Sequence, residues 1–405
     1  MTMDDRVTAE HGCVIVPEVN IPASVACLRS LGRRGIPTVL LPQERPLPAS
    51  ASRYCEETIS VPSPYDDIAG YERALLSLVA ERDVATIIPV REEDIYVLSK
   101  RRAAFEEHTS LVVPNFDTLL TAHDRLRLAE AAGDAGVPVP ETHLFTEVED
   151  WSRDLVIKAR WNLLTSEYVE SYRHGPIQVD AIDYRSPGTP PAADRVCEEM
   201  QHVPIVQEFI PKGGEYMFAA LYDHGEPVAT FQHEQIRGDS YIGGGGVYRK
   251  SIHDPELEVV ARRILDHLDW HGLACIEYVE HAETGEYVLI EINPRMWQSL
   301  SATVRMGADF PYHYYLLATG RSNEIDPNYD LGVGCHYLQG ELSYLASVLR
   351  DDSPLVERPT LRGTLRDQIT STIRDPRFDY LTLDDPGPFF RSAYNVLSGV
   401  VRGPR

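Results

Sequence analysis

Lysine is nearly missing from this 405-residue chain: Lys100, Lys158, Lys212 and Lys250 are the only ones, and arginine carries the remaining positive charge. Acidic residues outnumber basic ones 62 to 38, for a net charge of −24. A field of that sign repels phosphate backbones and anionic lipid, which argues against nucleic-acid and membrane partners. An acidic, lysine-poor exterior suits solubility in high salt, where screening removes self-repulsion, so a halophilic source is expected. No apolar run reaches bilayer-spanning length. The opening stretch Met1-Thr2-Met3-Asp4-Asp5-Arg6 lacks the basic and apolar regions of a signal peptide, so a cytoplasmic location is expected. Cys13, Cys27, Cys55, Cys197, Cys275 and Cys335 form no C-x-x-C pair, and read as reduced thiols outside any disulfide framework or zinc site. Internal repeats and low-complexity blocks are absent as well.

At this length two or three domains are expected. Apolar runs at Cys13–Pro17, Pro37–Leu41, Val84–Val90 and Ser110–Pro114 read as strands. They alternate with helical spacing at Ala23–Arg34, Tyr71–Arg82 and Glu92–Glu107, which predicts a parallel sheet covered on both faces. No G-x-G-x-x-G follows the first strand; Pro17-Glu18-Val19-Asn20-Ile21-Pro22 stands there, which argues against a dinucleotide site. Arg91-Glu92-Glu93-Asp94, after the third strand, reads either as a substrate contact at a strand end or as an acidic helix start. A new helix is expected from Thr121, with a domain boundary near residue 120.

The stretch that organises the rest is Tyr287-Val288-Leu289-Ile290-Glu291-Ile292-Asn293-Pro294-Arg295. Side chains alternate along a strand, so Glu291 and Asn293 share a face, and Pro294 ends the ladder. The strand Ala274–Val279 lies just upstream across a turn at Ala282–Glu286; paired as a hairpin, it brings Glu277 to the same site. Two carboxylates and an amide oxygen suit Mg²⁺ carrying phosphates. A surface hairpin with outward charges is the plainer alternative.

Leu155–Arg160 reads as a short strand carrying Lys158, whose ammonium needs an anion, either a triphosphate or a structural carboxylate. Residues 184–191 read as a loop and Ile205–Pro211 as a strand. Glu215–Tyr222 and Pro227–Gln232 form a hairpin. Gly243-Gly244-Gly245-Gly246 reads as a mobile loop, backbone closing on a ligand, or a slack tip. Asp254–Leu268, Trp297–Met306, Tyr312–Thr319, Glu341–Arg350 and Pro388–Val400 read as helices.

Taken in order, these motifs resemble the ATP-grasp superfamily, and within it the carboxylate–amine ligases and carbamoyl-phosphate-synthase-like enzymes. The region from Thr121 to Pro311 carries the likeness. His123-Asp124-Arg125 with Gly136-Val137-Pro138-Val139-Pro140 is similar to the family's helix start and Gly-Val-Pro exit. Ile157-Lys158 resembles its phosphate-binding lysine strand, and Gln207-Glu208-Phe209-Ile210 its adenine hinge. Glu215 falls at the ribose-binding acid. Glu277, Glu291 and Asn293 match the ligands of two Mg²⁺, with Mn²⁺ as an alternative ion, and Arg295 matches the reaction-centre arginine.

The resemblance implies an α/β chain. A parallel Rossmann-like domain (1–120) precedes a two-lobed ATP-grasp domain with antiparallel sheets (121–320; small lobe about 140–208, large lobe about 209–320). A C-terminal extension (321–405) packs on the large lobe. It further implies an ATP-dependent ligase that activates a small-molecule carboxylate as an acyl phosphate and joins it to an amine, releasing ADP and phosphate, with the homodimer of many relatives as the expected assembly. Arg125, Lys158, Gln207, Glu208, Phe209, Ile210 and Glu215 would hold ATP; Arg295, Lys158 and Arg237 would act at the reaction centre, with Arg249 adding positive charge, and Arg295 comes first because either Arg237 or Arg249 also reads as a surface ion pair. Two departures from the family pattern stand out: Arg125 replaces a lysine, and residues 159–174 contain no glycine where a glycine-rich phosphate cover is usual. Rival readings are a biotin-carboxylase-like enzyme activating bicarbonate, a kinase that stops at phosphoryl transfer, and a nucleotide-binding regulator without catalysis.

Overall fold

The computed structural model describes residues 12–43, 45–172 and 182–398. The polar N-terminus, the end of the glycine-free segment at 173–174 and the last residues of the expected helix at 388–400 lie outside these. The first module runs β1 (Cys13–Pro17), α1 (Ala23–Gly32), β2 (Thr38–Leu41), β3 (Glu57–Thr58), α2 (Ile68–Glu81), β4 (Val84–Ile87), α3 (Glu92–Lys100) and α4 (Arg102–Glu106). Its strands form a parallel sheet in the order β3-β2-β1-β4. Strand periodicity sorts the core. Val14, Val16 and Leu40 pack with Val25 and Leu28 of α1, whereas Ile15, Val39 and Leu41 pack with Tyr71, Leu75 and Val79 of α2.

Two expectations change here. The strand expected over 110–114 makes a single bridge, Ser110 to Thr86, and then leaves the sheet. Its backbone is drawn under the start of the next module, where a Cβ at Gly272 (φ +96°) would meet the Val112 carbonyl oxygen at 2.5 Å. The helix expected over 92–107 breaks at Arg101, whose φ/ψ of −106°/20° separates α3 from α4.

Next come α5 (Phe116–His123) and α6 (Arg125–Asp134). Asn115 caps α5 by accepting from the Thr118 N–H, and Asp124 caps α6 by accepting from the Leu126 N–H. The helix start therefore falls at Asp124, not Thr121, and residue 120 lies inside α5. A small antiparallel sheet follows, built from β5 (Thr142–Leu144), β6 (Leu155–Lys158), β7 (Ile182–Arg185) and β8 (Ile205–Glu208), with α7 (Ala193–Met200) against it. Its order is β5-β8-β6-β7, so Tyr184 lies in a strand where a loop is expected.

The large sheet has the order β13-β12-β9-β10-β11-β14. Its members are β9 (Lys212–Asp223), β10 (Glu226–Gly238), β11 (Gly246–Ile252), β12 (Gly272–His281), β13 (Tyr287–Asn293) and β14 (Gly334–His336). One face carries Phe218, Ala220, Ala274 and Ile276 onto Leu257, Ala261 and Ile264 of α8 (Pro255–His267). The other presents Met217, Ala219, Leu221 and Cys275 to a core shared with α1, α9 (Leu300–Arg305) and α10 (Phe310–Ala318). That shared core joins the parallel module to the large sheet.

The C-terminal extension, α11 (Leu338–Arg350), α12 (Leu361–Arg374) and α13 (Gly387–Leu397), is tied back by buried arginines. Arg29 of α1 donates to the Asp385 carboxylate at 2.9 Å and to the Tyr380 carbonyl at 2.8 Å. Arg249 of β11 pairs with Asp379 at 2.7 Å, both side chains fully buried.

Candidate active site

The β12–β13 hairpin forms as its alternation predicts, with Glu277 directly opposite Glu291 and Cys275 opposite Asn293. Residues directly opposite on neighbouring strands hold their Cβ atoms about 5 Å apart, and like charges placed so repel. Glu277 opens to water in the cleft between the two sheets yet is ringed by protein. Burial and the Glu291 charge together raise its pKa. Glu291 behaves oppositely: burial would raise it, but Arg125, Asn293 and Lys158 together outweigh that and hold it low. The Arg125 guanidinium lies 2.8 Å from Glu291 and also donates to the Ala159 carbonyl. Asn293 donates its amide N–H to Glu291 at 2.8 Å, while its amide oxygen faces Arg295 at 3.4 Å.

Lys158, at the end of β6, faces the same carboxylates from the small sheet. Burial and the neighbouring Arg125 pull its pKa down to about 8, against the opposing pull of Glu291 and Glu277. The donor set fits a hard divalent cation with phosphates: two opposed carboxylates plus an amide on one side, and a lysine and an arginine on the other. Like charges set face to face are costly without a cation between them, and this is the observation on which the fit rests.

Arg295 is fixed from the parallel module. Its Nε lies 2.5 Å from Glu92 Oε1 at the start of α3. The other oxygen of Glu92 meets His123 Nε2 at 3.0 Å, and His123 Nδ1 meets the Tyr168 hydroxyl at 3.0 Å. Burial opposes ionisation of Glu92, but Arg295 and His123 hold its pKa near about 2. The two readings of residues 91–94 thus divide by residue. Asp94 caps the start of α3 by accepting from the Arg91 N–H at 2.9 Å and from the Arg91 guanidinium, whereas Glu92 turns to Arg295 and His123. Glu93 is buried with neither carboxylate oxygen partnered among the described residues, and burial raises its pKa to about 7.

On the expected adenine side, Gln207 donates to Thr142 at 2.8 Å, Glu208 accepts from the Glu141 N–H, and Phe209 meets Tyr184 edge-on. Ile210 follows β8 and is half-buried. Glu215 pairs with Lys212 and accepts from Gln235 at 2.8 Å. Gln235 also donates to the Gly244 carbonyl, and Lys212 to the Ile242 carbonyl. The glycine run therefore borders this group, with the Gly244 carbonyl accepting from Gln235. A Cβ at Gly245 would meet Gln298 at 2.4 Å, and one at Gly244 (φ +107°) would meet Asp239 at 2.0 Å.

No family model and no curated protein matches the sequence. Solved structures do. N5-carboxyaminoimidazole synthetase from Staphylococcus aureus, complexed with ADP, superposes at a TM-score of 0.59 with 14% identity, over 89% of this chain and 97% of that one. L-amino acid ligase from Bacillus licheniformis gives 0.56 and 14%, over 80% and 78%. Biotin carboxylase from Campylobacter jejuni, as a β-γ-ATP complex, gives 0.56 and 12%, over 80% and 74%. The chain has an ATP-grasp fold. It spans only 30% of the much longer Rhizobium etli pyruvate carboxylase chain, which it matches over 80% of its own length.

Within this ATP-grasp fold, Arg237 is placed apart from Arg295. It is buried against Glu341 of α11 at 2.7 Å, under Tyr248 and Tyr344. Arg249 is likewise held by Asp379. The ion-pair alternative therefore holds for both, but the pairs are buried and not at the surface, and neither acid is near in sequence. The glycine-free segment has a definite position as well. Trp161 stacks on Tyr168 at 5.0 Å, Arg160 forks onto Asp124 at 2.6 and 2.8 Å, and Glu167 meets Lys100 at 2.5 Å. These contacts clasp residues 160–168 to α3 and the α5–α6 junction. Lys212, His123 and Tyr168 join these contacts with no local motif to single them out. The scarcity of lysine was a usable signal for Lys212.

Proposed function

We propose that the chain is an ATP-dependent ligase that joins a small-molecule carboxylate to an amine, releasing ADP and phosphate. The observation that carries this is the face-to-face pair Glu277–Glu291 beside Arg295, with Lys158 and Arg125 across the cleft. Glu277, Glu291 and Asn293 would hold Mg²⁺, which supplies charge neutralisation on the phosphates. Lys158 and Arg125 would bind the phosphates as fixed cations, with Arg125 exchanging Glu291 for phosphate. Arg295 would orient the substrate carboxylate, and Glu92 would hold Arg295 in place. Gln207, Glu208, Phe209, Ile210 and Glu215 would line the nucleoside end. The structural neighbours, among them a ligase and enzymes bound to ATP or ADP, support this reading at the level of fold.

The test is an ADP-release screen over amino acids and small carboxylates, with and without amines, at high KCl with Mg²⁺. The salt follows from the acidic, lysine-poor surface and the high-salt source it suggests. Turnover that needs both a carboxylate and an amine supports the ligase. Turnover with bicarbonate alone supports a bicarbonate-activating enzyme instead. Glu291→Ala should abolish ADP release while circular dichroism stays native; retained turnover removes the metal assignment. A second reading, nucleotide binding without turnover, is favoured by one observation. The segment that follows Lys158 is clasped by Trp161, Tyr168 and Glu167 in place of a glycine-rich cover. ATP binding with no ADP formed under any substrate mixture would select it.

A further inference from the structure

At the opposite end of the large sheet from the carboxylate pair, the β9–β10 turn and the start of β12 bring together Asp223, His224 and His271. One ligand atom from each lies within 4.8 Å of the others. His224 Nδ1 is 2.7 Å from Asp223 Oδ1, and His271 Nδ1 is 3.7 Å from the same oxygen. Donors around a tetrahedral zinc ion, each about 2.0–2.2 Å from the metal, lie roughly 3.3–3.5 Å from one another, so only small side-chain shifts separate this cluster from a ligand set. His271 is prepared for the role. It is buried at the start of β12, which limits the positions its ring can take. Its Nδ1 lone pair faces the turn, where it accepts only the long 3.2 Å bond from the His224 N–H. Gly272, the next residue, lies close against the Val112 carbonyl, which fixes the backbone that carries the ring beside the parallel module.

His224 occupies a costly position. It has φ +49° at the first central residue of a two-residue hairpin turn, ahead of Gly225 at φ +83°. Asn, Asp or Gly is the ordinary choice there. A histidine in that place sets its ring 4.0 Å from the His271 ring, with Asp223 between their nitrogens. Asp269, itself at φ +46°, puts a second carboxylate oxygen close over Gly225. Asp223 and Asp269 bring negative charge to the two rings, and Arg102 acts on His271 as a nearby cation.

We propose that Asp223, His224 and His271 bind a first-row divalent transition ion of the zinc class, as a clip separate from the ATP site. Six residues along β12 and β9 separate this cluster from Glu277 and its partner Met217, about 20 Å at strand rise. The two imidazoles select against Mg²⁺, which prefers oxygen ligands. The clip would join the hairpin turn to β12 and, through the backbone at His271 and Gly272, to the Val112 segment of the parallel module. It does not depend on the ligase reading.

The experiment uses the full chain without a histidine tag, stripped with chelator and free of nucleotide, titrated with Zn²⁺ by calorimetry and with Co²⁺ by absorbance. One equivalent should bind, with the ligand-field bands of mixed nitrogen and oxygen coordination, and the melting temperature should rise. His224→Ala removes only an exposed side chain and should weaken binding at least about tenfold. Asp223→Asn and His271→Ala should do the same, whereas His143→Ala, an exposed histidine on the small sheet, should change nothing. Excess Mg²⁺ should not displace the ion. Absence of one-equivalent binding, or equal binding by wild type and His224→Ala, overturns the proposal.

Discussion

Arg295 of the Glu-x-Asn-Pro-Arg stretch is held by Glu92, a residue more than two hundred positions earlier, through an Nε–Oε1 contact of 2.5 Å. The carboxylate is buried, so the pair is barely screened and sets the guanidinium in one place. His123 and Tyr168 extend the line to the clasped segment after Lys158. Glu92→Gln keeps the shape and removes the charge. It should lower kcat by up to about 100-fold through misplacement of Arg295 while leaving nucleotide affinity within a few-fold. Steady-state kinetics beside nucleotide calorimetry would check this. An unchanged kcat would release Arg295 from its assigned place.

Lys158 is pulled down to about 8 by burial and Arg125. At pH values above 8 it is mostly neutral before ligand arrives, and a triphosphate favours its charged form. Nucleotide binding without Mg²⁺ at about pH 9 should therefore take up protons, an uptake that shrinks as pH falls below 8. Calorimetry in buffers of different ionisation enthalpy measures it, and Lys158→Gln should abolish it.

Glu93 is buried without a partner among the described residues and pushed up to about 7. A carboxyl whose folded-state pKa lies above its unfolded value costs nothing below the unfolded value. The penalty grows as pH rises from there to 7 and is complete above it. Glu93→Gln should thus stabilise the protein by up to about 3 kcal/mol at pH 8 and by little at pH 4. Urea unfolding at the two pH values decides it. An equal effect at both would mean that the carboxyl finds a partner in solution.

Arg249 and Asp379 lie 2.7 Å apart with no exposure. Asp379→Ala leaves a buried cation and should cost about 3–5 kcal/mol, loosening the extension from β11. Replacing both partners with apolar residues should recover much of the loss, because desolvation offsets most of such a pair's attraction. Chemical denaturation of the single and double variants would show whether the pair acts as a unit.

Much of the site was legible because its signals are local. The hairpin from Ala274 to Asn293 follows from alternation and a turn, and alternation alone puts Glu291 and Asn293 on one face. The parallel module follows from alternating strand and helix patterns, apart from the segment at 110–114, which gives up a fifth strand to pass beneath Gly272. The glycine run was ambiguous as sequence, since four glycines permit slackness and close approach alike. In the structure the run lies beside Gln298 and Asp239, with the Gly244 carbonyl accepting from Gln235.

By itself the sequence determined the order of the elements, the shared face of the metal-type ligands and the sign of the surface charge, because periodicity and composition act over a few residues or over the whole chain. Which charges remain free was decided only by tertiary structure. Arg237 and Arg249 stood open between a reaction-centre role and an ion pair until Glu341 and Asp379 came back across the sheet to neutralise them, and Arg295 looked unsupported until Glu92 met it. An ion pair depends on distance in space, and no local pattern records that a carboxylate a hundred or two hundred residues away will be carried to within 3 Å.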